Sequence, residues 1–186
     1  EAIREPSPER GVVFQEPALF PWMSVTENVV FGPKTRGEKA ADYRPRALQI
    51  LEQVGLKGFE DSYPAELSGG MRQRVGIARV LMLRSRVMLM DEPFGALDPL
   101  TRDALGGDYR RLHEALGLTT VMITHDTLEA VLLADRIAVI HKGRIVAEDS
   151  PQRLMNDTQD DYVRELMATP RRQAEKLRRL IERPAG

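Results

Sequence analysis

Two carboxylates stand side by side at the end of an apolar run, Val87-Met88-Leu89-Met90-Asp91-Glu92. Four apolar residues, followed by charge and then by Pro93 and Gly95, read as a buried parallel strand. Open α/β sheets bind ligands at the C-terminal ends of their strands. Neighbouring strand residues point to opposite faces, so Asp91 and Glu92 take separate roles while strand geometry lasts. One can hold a metal ion while the other meets a reacting water. Taken alone, the pair reads as solvated acids capping a strand; four other features change that reading.

Leu67-Ser68-Gly69-Gly70 stands where a helix opens. Ser68 occupies an N-cap position, and the two glycines leave backbone N–H groups uncovered at the helix N-terminus, a geometry that binds phosphate oxygens. Without company this too would be a plain glycine-rich cap. Gln15 ends an apolar strand, Gly11–Phe14. Asp98 follows the turn after the central strand, in Ala96-Leu97-Asp98. His125 ends another buried strand, Thr120–Thr124.

The elements that must position these residues follow from periodicity. Residues 1–10, with two prolines, read as loop. Glu16 to Met23 is a Pro-broken loop carrying Phe20 and Trp22, and Ser24 to Phe31 reads as a capped helical turn. A charged, glycine-marked link is expected over Gly32–Asp42, then a helix over Arg46–Val54 ended by Gly55. The helix after Gly70 has Met71, Val75, Ile77, Ala78, Leu81 and Met82 as its inner face. Leu100–Leu116 reads as a third helix and Thr127–Ala134 as a short one. Ile137–Ile140 and Arg144–Ala147 flank His141-Lys142-Gly143 as a hairpin. Beyond Pro151 the composition becomes helical and sparsely apolar. Thr169-Pro170 is expected to start a last, basic helix over Arg171–Arg183.

Composition narrows the function classes. A chain of 186 residues suits one domain with a tail. A formal net charge of −1 gives no basic surplus for nucleic acid. No apolar run approaches the ~20 residues that cross a bilayer. With no cysteine, disulfides and thiolate chemistry are excluded.

The ordered set formed by Gln15, Leu67-Ser68-Gly69-Gly70-Met71-Arg72-Gln73-Arg74, Asp91-Glu92, Asp98 and His125 resembles the ATP-hydrolysing subunit of ABC transporters, over about Gly11–Ser150. The resemblance implies a P-loop NTPase-like α/β cassette, a mainly parallel sheet with flanking helices and a small helical subdomain. Residues 1–150 would then form a partial ATPase domain, with residues 24–85 its helical and signature subdomain, and 151–186 a helical tail.

It further implies roles. Ser68, Gly69, Gly70 and Gln73 would belong to the signature motif, which contacts ATP held by a second subunit, so a homodimer is expected. Asp91 would be the Walker B aspartate that reaches Mg²⁺. Glu92 would be the general base for the attacking water, and His125 the switch histidine at the γ-phosphate. Gln15 would touch Mg²⁺ and sense the membrane subunit. Asp98 would cross the dimer interface. Phe20 and Trp22 would dock the permease. The expected setting is peripheral, on the cytoplasmic face of the inner or plasma membrane, with ATP and Mg²⁺, permease subunits and, indirectly, a substrate-binding protein as partners, and no nucleic acid.

The sequence holds no Gly-x-x-x-x-Gly-Lys-Ser/Thr phosphate loop. Lys34-Thr35 is a decoy, because Asn28 stands where the first glycine belongs. In the family that loop lies upstream of the Gln15 segment, so the chain reads as a fragment truncated before it, with a deficient core and weak or absent binding of MgATP on its own. The alternative is a non-catalytic subunit lending its signature motif to a partner. ATPases of the DNA-repair and chromosome class would need long coiled coils between Gln15 and Ser68, and a tandem translation-associated protein would need a second cassette.

For the transported solute, two cues conflict. Phe14 to Trp22 resembles nitrate, sulfonate and taurine systems. Residues 157–180, including Ala168-Thr169-Pro170-Arg171-Arg172-Gln173, resemble importers of quaternary-amine osmoprotectants, the class favoured here.

Overall fold

The computed structural model describes residue 7 and residues 9–181. The reading of the first residues as loop therefore lies largely outside the described residues, as does the end of the last helix. Close contacts divide the chain into two units, 1–123 and 124–186, so the expected division at 150 falls inside the second.

In the first unit, three parallel strands are ordered β1 (Arg10–Val13), β2 (Val87–Asp91) and β3 (Thr120–Ile123). Gly11, Met88 and Thr120 are in register, as are Val13, Met90 and Met122. This face is covered. Val80 packs so closely on Gly11 that a Cβ there would stand 2.2 Å from it, and Tyr109 Oη lies 2.6 Å from Thr120 Oγ1. The opposite face, with Val12, Val121 and Ile123, is exposed. The central strand is thus not buried on both sides as its apolar run predicts: Met88 and Met90 are buried, while Leu89, on the open face, is only partly so. A run of four apolar residues cannot report which face a layer of helices reaches.

Between β1 and β2 lies a helical segment: α1 (Val25–Thr35), α2 (Ala40–Gln53), a 3₁₀ turn at Pro64–Glu66 and α3 (Gly69–Met82). Ser24 and Glu27 close a reciprocal capping box on α1, and Gly55, at φ +74°, follows α2 as expected. The link expected over 32–42 is mostly helical. Helix α1 runs through Gly32 and Pro33 because it packs along α3, where Pro33 is buried. Helix α2 begins six residues earlier than expected and contains Pro45. Helix α4 (Pro99–Leu116), expected over 100–116, follows β2 and ends at Gly117, φ +59°.

The second unit contains α5 (Thr127–Leu133), the antiparallel strands β4 (Ile137–His141) and β5 (Arg144–Asp149), α6 (Pro151–Asn156) and α7 (Asp161–Ile181). Lys142 and Gly143, both at positive φ, make the two-residue hairpin turn. Val139, Leu154, Val163 and Met167 form the core. The tail differs from expectation: Pro170 does not start a helix but sits buried inside α7. Pro170 cannot donate to the preceding turn, yet the helix is held ahead of it by Val163 and Met167, and Thr169 Oγ1 donates to Glu165 O at 3.3 Å.

Candidate functional site

The turn after β2 departs from strand geometry at once. Glu92 N–H donates to Ile123 O at 2.9 Å, the last rung of the ladder, and Glu92 itself adopts φ +43°. L side chains seldom take this conformation, and such strain concentrates at working sites. Gly95 N–H then donates back to Glu92 O at 3.0 Å, closing the turn. A Cβ on Gly95 would stand 3.3 Å from Gln15 Nε2 and 3.5 Å from Glu92 Oε2. The strand end of β1 and the strand end of β2 therefore deliver an amide and a carboxylate to one spot. Asp91, the last residue of β2, is exposed, and Glu92 is partly so.

The second grouping lies at the start of α3. Ser68 caps the helix, its Oγ accepting from Met71 N–H at 3.3 Å. Arg72 Nη1 fixes the approach by donating to Leu67 O at 2.7 Å. The turn after Glu92 packs directly on the glycines. A Cβ on Gly69 would lie 3.4 Å from Leu97 Cδ2, and one on Gly70 only 2.6 Å from Thr101 Cγ2. Asp98 caps α4, accepting from Thr101 N–H at 3.1 Å. Hydrogen bonds from the Thr101 hydroxyl and then the Thr101 N–H hold its carboxyl below the usual range. Arg102 holds the same turn, donating to Phe94 O at 3.2 Å and Leu97 O at 3.1 Å.

Gln73 stands apart from the other signature residues. It is 2% exposed, and its Nε2 donates to Phe14 O at 3.1 Å. A buried carboxamide engaged inside the fold ties α3 to the end of β1; it is not on the exposed helix start with Ser68 and Gly69. Phe20 and Trp22 form an aromatic cluster with Phe31, with ring centroids 5.7 Å and 4.6 Å from Phe20. Trp22 is 70% exposed. His125 is exposed and belongs to the second unit, just before Asp126, which caps α5.

Several residues that hold this site carry no motif. Asn28 is fully buried; its Oδ1 accepts from Phe20 N–H at 2.8 Å and its Nδ2 lies 3.0–3.1 Å from the carbonyls of Phe20, Met23 and Ser24. Arg79 Nη2 donates to Pro17 O at 2.8 Å and Nη1 to Ala18 O at 3.0 Å. Burial lowers the Arg79 pKa from its ordinary value, though an arginine stays charged. The only signal in the sequence was an arginine in a helix that turns out buried on nearly every side.

Chemically, the arrangement offers a serine-capped helix start, with Gly70 buried, and a carboxylate–carboxamide pair at a sheet's C-terminal edge. Asp91 and Gln15 bring hard oxygen donors of the kind Mg²⁺ takes. Among the described residues no three acids or histidines gather into a self-sufficient metal site. Among the described residues, no helix is long and apolar enough to cross a membrane.

Comparison with known proteins gives consistent relatives. A family model described as ABC transporter matches residues 1–95. The sulfate/thiosulfate import ATP-binding protein CysA of Mycobacterium tuberculosis is 47% identical over 153 residues, covering 81% of this chain and 44% of that protein. The glycine betaine/proline betaine transport system ATP-binding protein ProV of Escherichia coli is 45% identical over 154 residues, covering 83% and 38%. The taurine import ATP-binding protein TauB of Jannaschia sp. is 48% identical over 148 residues, covering 78% and 55%. Among solved structures, cbiO1 from Clostridium perfringens, described as part of an ABC transporter complex, superposes with a TM-score of 0.75 at 30% identity, covering 81% of this chain and 60% of that one. The chain thus spans about half the length, or less, of the curated relatives it matches.

Proposed function

Because the chain belongs to the ABC transporter family, we propose that it serves as the ATP-binding and ATP-hydrolysing part of an importer for a small solute. The observation that carries this reading is the convergence of Gln15 and Glu92 on Gly95 at the C-terminal edge of the sheet. Glu92 is the general base: its carboxylate takes a proton from the water that attacks the γ-phosphate. Gln15, beside it, orients that water and reaches toward the cation. Asp91 holds Mg²⁺, directly or through water; when bound, Mg²⁺ neutralises charge on the phosphate oxygens. His125 contacts the γ-phosphate.

The helix start at Gly69 and Gly70, partly exposed at Gly69 and buried at Gly70, binds, with the Ser68 hydroxyl, phosphate of a nucleotide carried by a second ATPase subunit. This makes a homodimer with two composite sites the working form, Asp98 crossing its interface. The phosphate cradle of Lys and backbone amides is not among these 186 residues. Nucleotide binding therefore depends on a polypeptide that carries it, and this chain alone is inactive. Phe20 and Trp22 dock a transmembrane permease, placing the protein on the cytoplasmic face of the membrane, with a substrate-binding protein as an indirect partner.

The relatives named for sulfate, betaine and taurine lie within 45–48% identity, which does not rank the solutes. Residues 157–180 keep quaternary-amine osmoprotectants as our reading.

The test is Glu92→Gln in the assembled transporter. Hydrolysis is expected to fall about 10²–10⁴-fold, as for loss of a general base, while ATP-driven association of the subunits persists. Undiminished hydrolysis would remove Glu92 from the mechanism.

A further inference from the structure

Helix α3 carries the signature glycines at its start, yet one side of it faces the segment that bears Gln15. Three positions spaced three residues apart make that contact. Gln73 Nε2 donates to Phe14 O, immediately before Gln15. Gly76 lies against Pro17, where a Cβ would stand 3.2 Å from Pro17 Cβ. Arg79 donates through separate nitrogens to the consecutive carbonyls of Pro17 and Ala18. Ala18 adopts φ +43°, a left-handed conformation that a residue with a Cβ keeps only when its surroundings enforce it.

We propose that Arg79 is a positioning residue for Gln15: its forked guanidinium holds the Pro17–Ala18 turn against α3 and so fixes the Gln15 carboxamide beside Glu92. The inference rests on the ATPase reading above and deepens it. The signature glycines and Gln15 are then two ends of one rigid part, because the helix that presents Gly69 and Gly70 also sets where Gln15 stands. A lysine cannot replace the arginine, since a single ammonium lacks the planar fork that meets two carbonyls at once. Gly76 belongs to the same device, because a Cβ there, 3.2 Å from Pro17 Cβ, would press on the loop.

Two variants separate positioning from folding. Arg79→Lys keeps the charge and loses the fork. Gly76→Ala pushes the loop away while improving the intrinsic preference of α3 for helix, so a loss of fold is not its expected effect. The chain has no cysteine, so Glu16→Cys, at an exposed position, gives a single nitroxide site next to Gln15. In the 186-residue chain, both variants are expected to narrow the nitroxide spectrum, with Gly76→Ala leaving the thermal melt unlowered.

In the assembled transporter, each is expected to lower kcat by about 10–100-fold, the scale of a small misplacement at a reacting centre. KM for MgATP should stay within about threefold, because the phosphate cradle is untouched. An unchanged nitroxide spectrum in both variants would overturn the clamp, whatever the kinetics. A narrowed spectrum with unchanged kcat would overturn its role in positioning Gln15. An inactive wild-type assembly would count against the ATPase reading, and the nitroxide result would still decide the clamp.

Discussion

The carboxamide nitrogen of Gln15 and the carboxylate of Glu92 both come within 3.5 Å of a single point, the position a Cβ would occupy on Gly95. These residues are 77 positions apart in sequence and come together because β1 and β2 are parallel neighbours in register from Arg10 and Val87. Gly95→Ala would insert a methyl group between them. The expected outcome is a fall in hydrolysis of about tenfold or more with the thermal melt little changed. Wild-type turnover by this variant would mean the convergence has no catalytic consequence.

Gly70 and Thr101 make a sharper case, since a Cβ on Gly70 would sit 2.6 Å from Thr101 Cγ2. Gly70→Ala overpacks the contact between the starts of α3 and α4, at a cost of about 1–3 kcal/mol. Thr101→Ser removes the obstructing methyl and retains the hydroxyl that serves Asp98. The double variant is therefore expected to recover most of the stability lost by Gly70→Ala, as read by denaturant melts. Simple additivity of the two changes would contradict this account of the clash.

Asn28 latches the loop that carries Phe20 and Trp22. Asn28→Ala leaves the Phe20 N–H and C=O without their side-chain partner, and is expected to cost on the order of 2–3 kcal/mol. Trp22 is the only tryptophan, so its fluorescence anisotropy reads the loop directly and should fall in the variant before the main melt. A loop signal identical to wild type would show that Asn28 serves only the cap of α1.

The open sheet face predicts behaviour of the chain on its own. Val121 and Ile123 are 54% and 61% exposed, beside Val12 on the same face. A parallel sheet is ordinarily covered on both faces. The isolated chain is expected to bind an apolar-surface dye, and Val121→Lys with Ile123→Lys to cut that binding at least about twofold, as the exposed patch is broken. Strong dye binding unaffected by both changes would locate the apolar surface elsewhere.

Much of this organisation was legible in residue types. Ser68 with two glycines announced a helix start, and Gly55 marked a helix end, because caps are local chemistry. Proline misled, since Pro33, Pro45 and Pro170 all lie inside helices. Burial of Pro33 in α1 and of Pro170 in α7 outweighs the hydrogen bond each forfeits; nothing in the structure explains exposed Pro45. Gln73 stands in the signature stretch, yet its side chain turns inward to Phe14. Gly95 was legible only as a turn residue, and the roles of Arg79 and Gly76 were not legible. Their importance comes from what passes beside them, and only the path of the Gln15 loop across α3 and the turn after β2 reveals it.

The measurement that bears most directly on the central claim is a calorimetric titration of MgATP into this chain, alone and together with a polypeptide carrying the family's phosphate loop. The account predicts no binding heat for the chain alone and saturable binding once that loop is supplied, lost again on Asp91→Asn. Micromolar binding by the 186 residues alone would contradict it, and would mean that this sequence builds a phosphate cradle of its own.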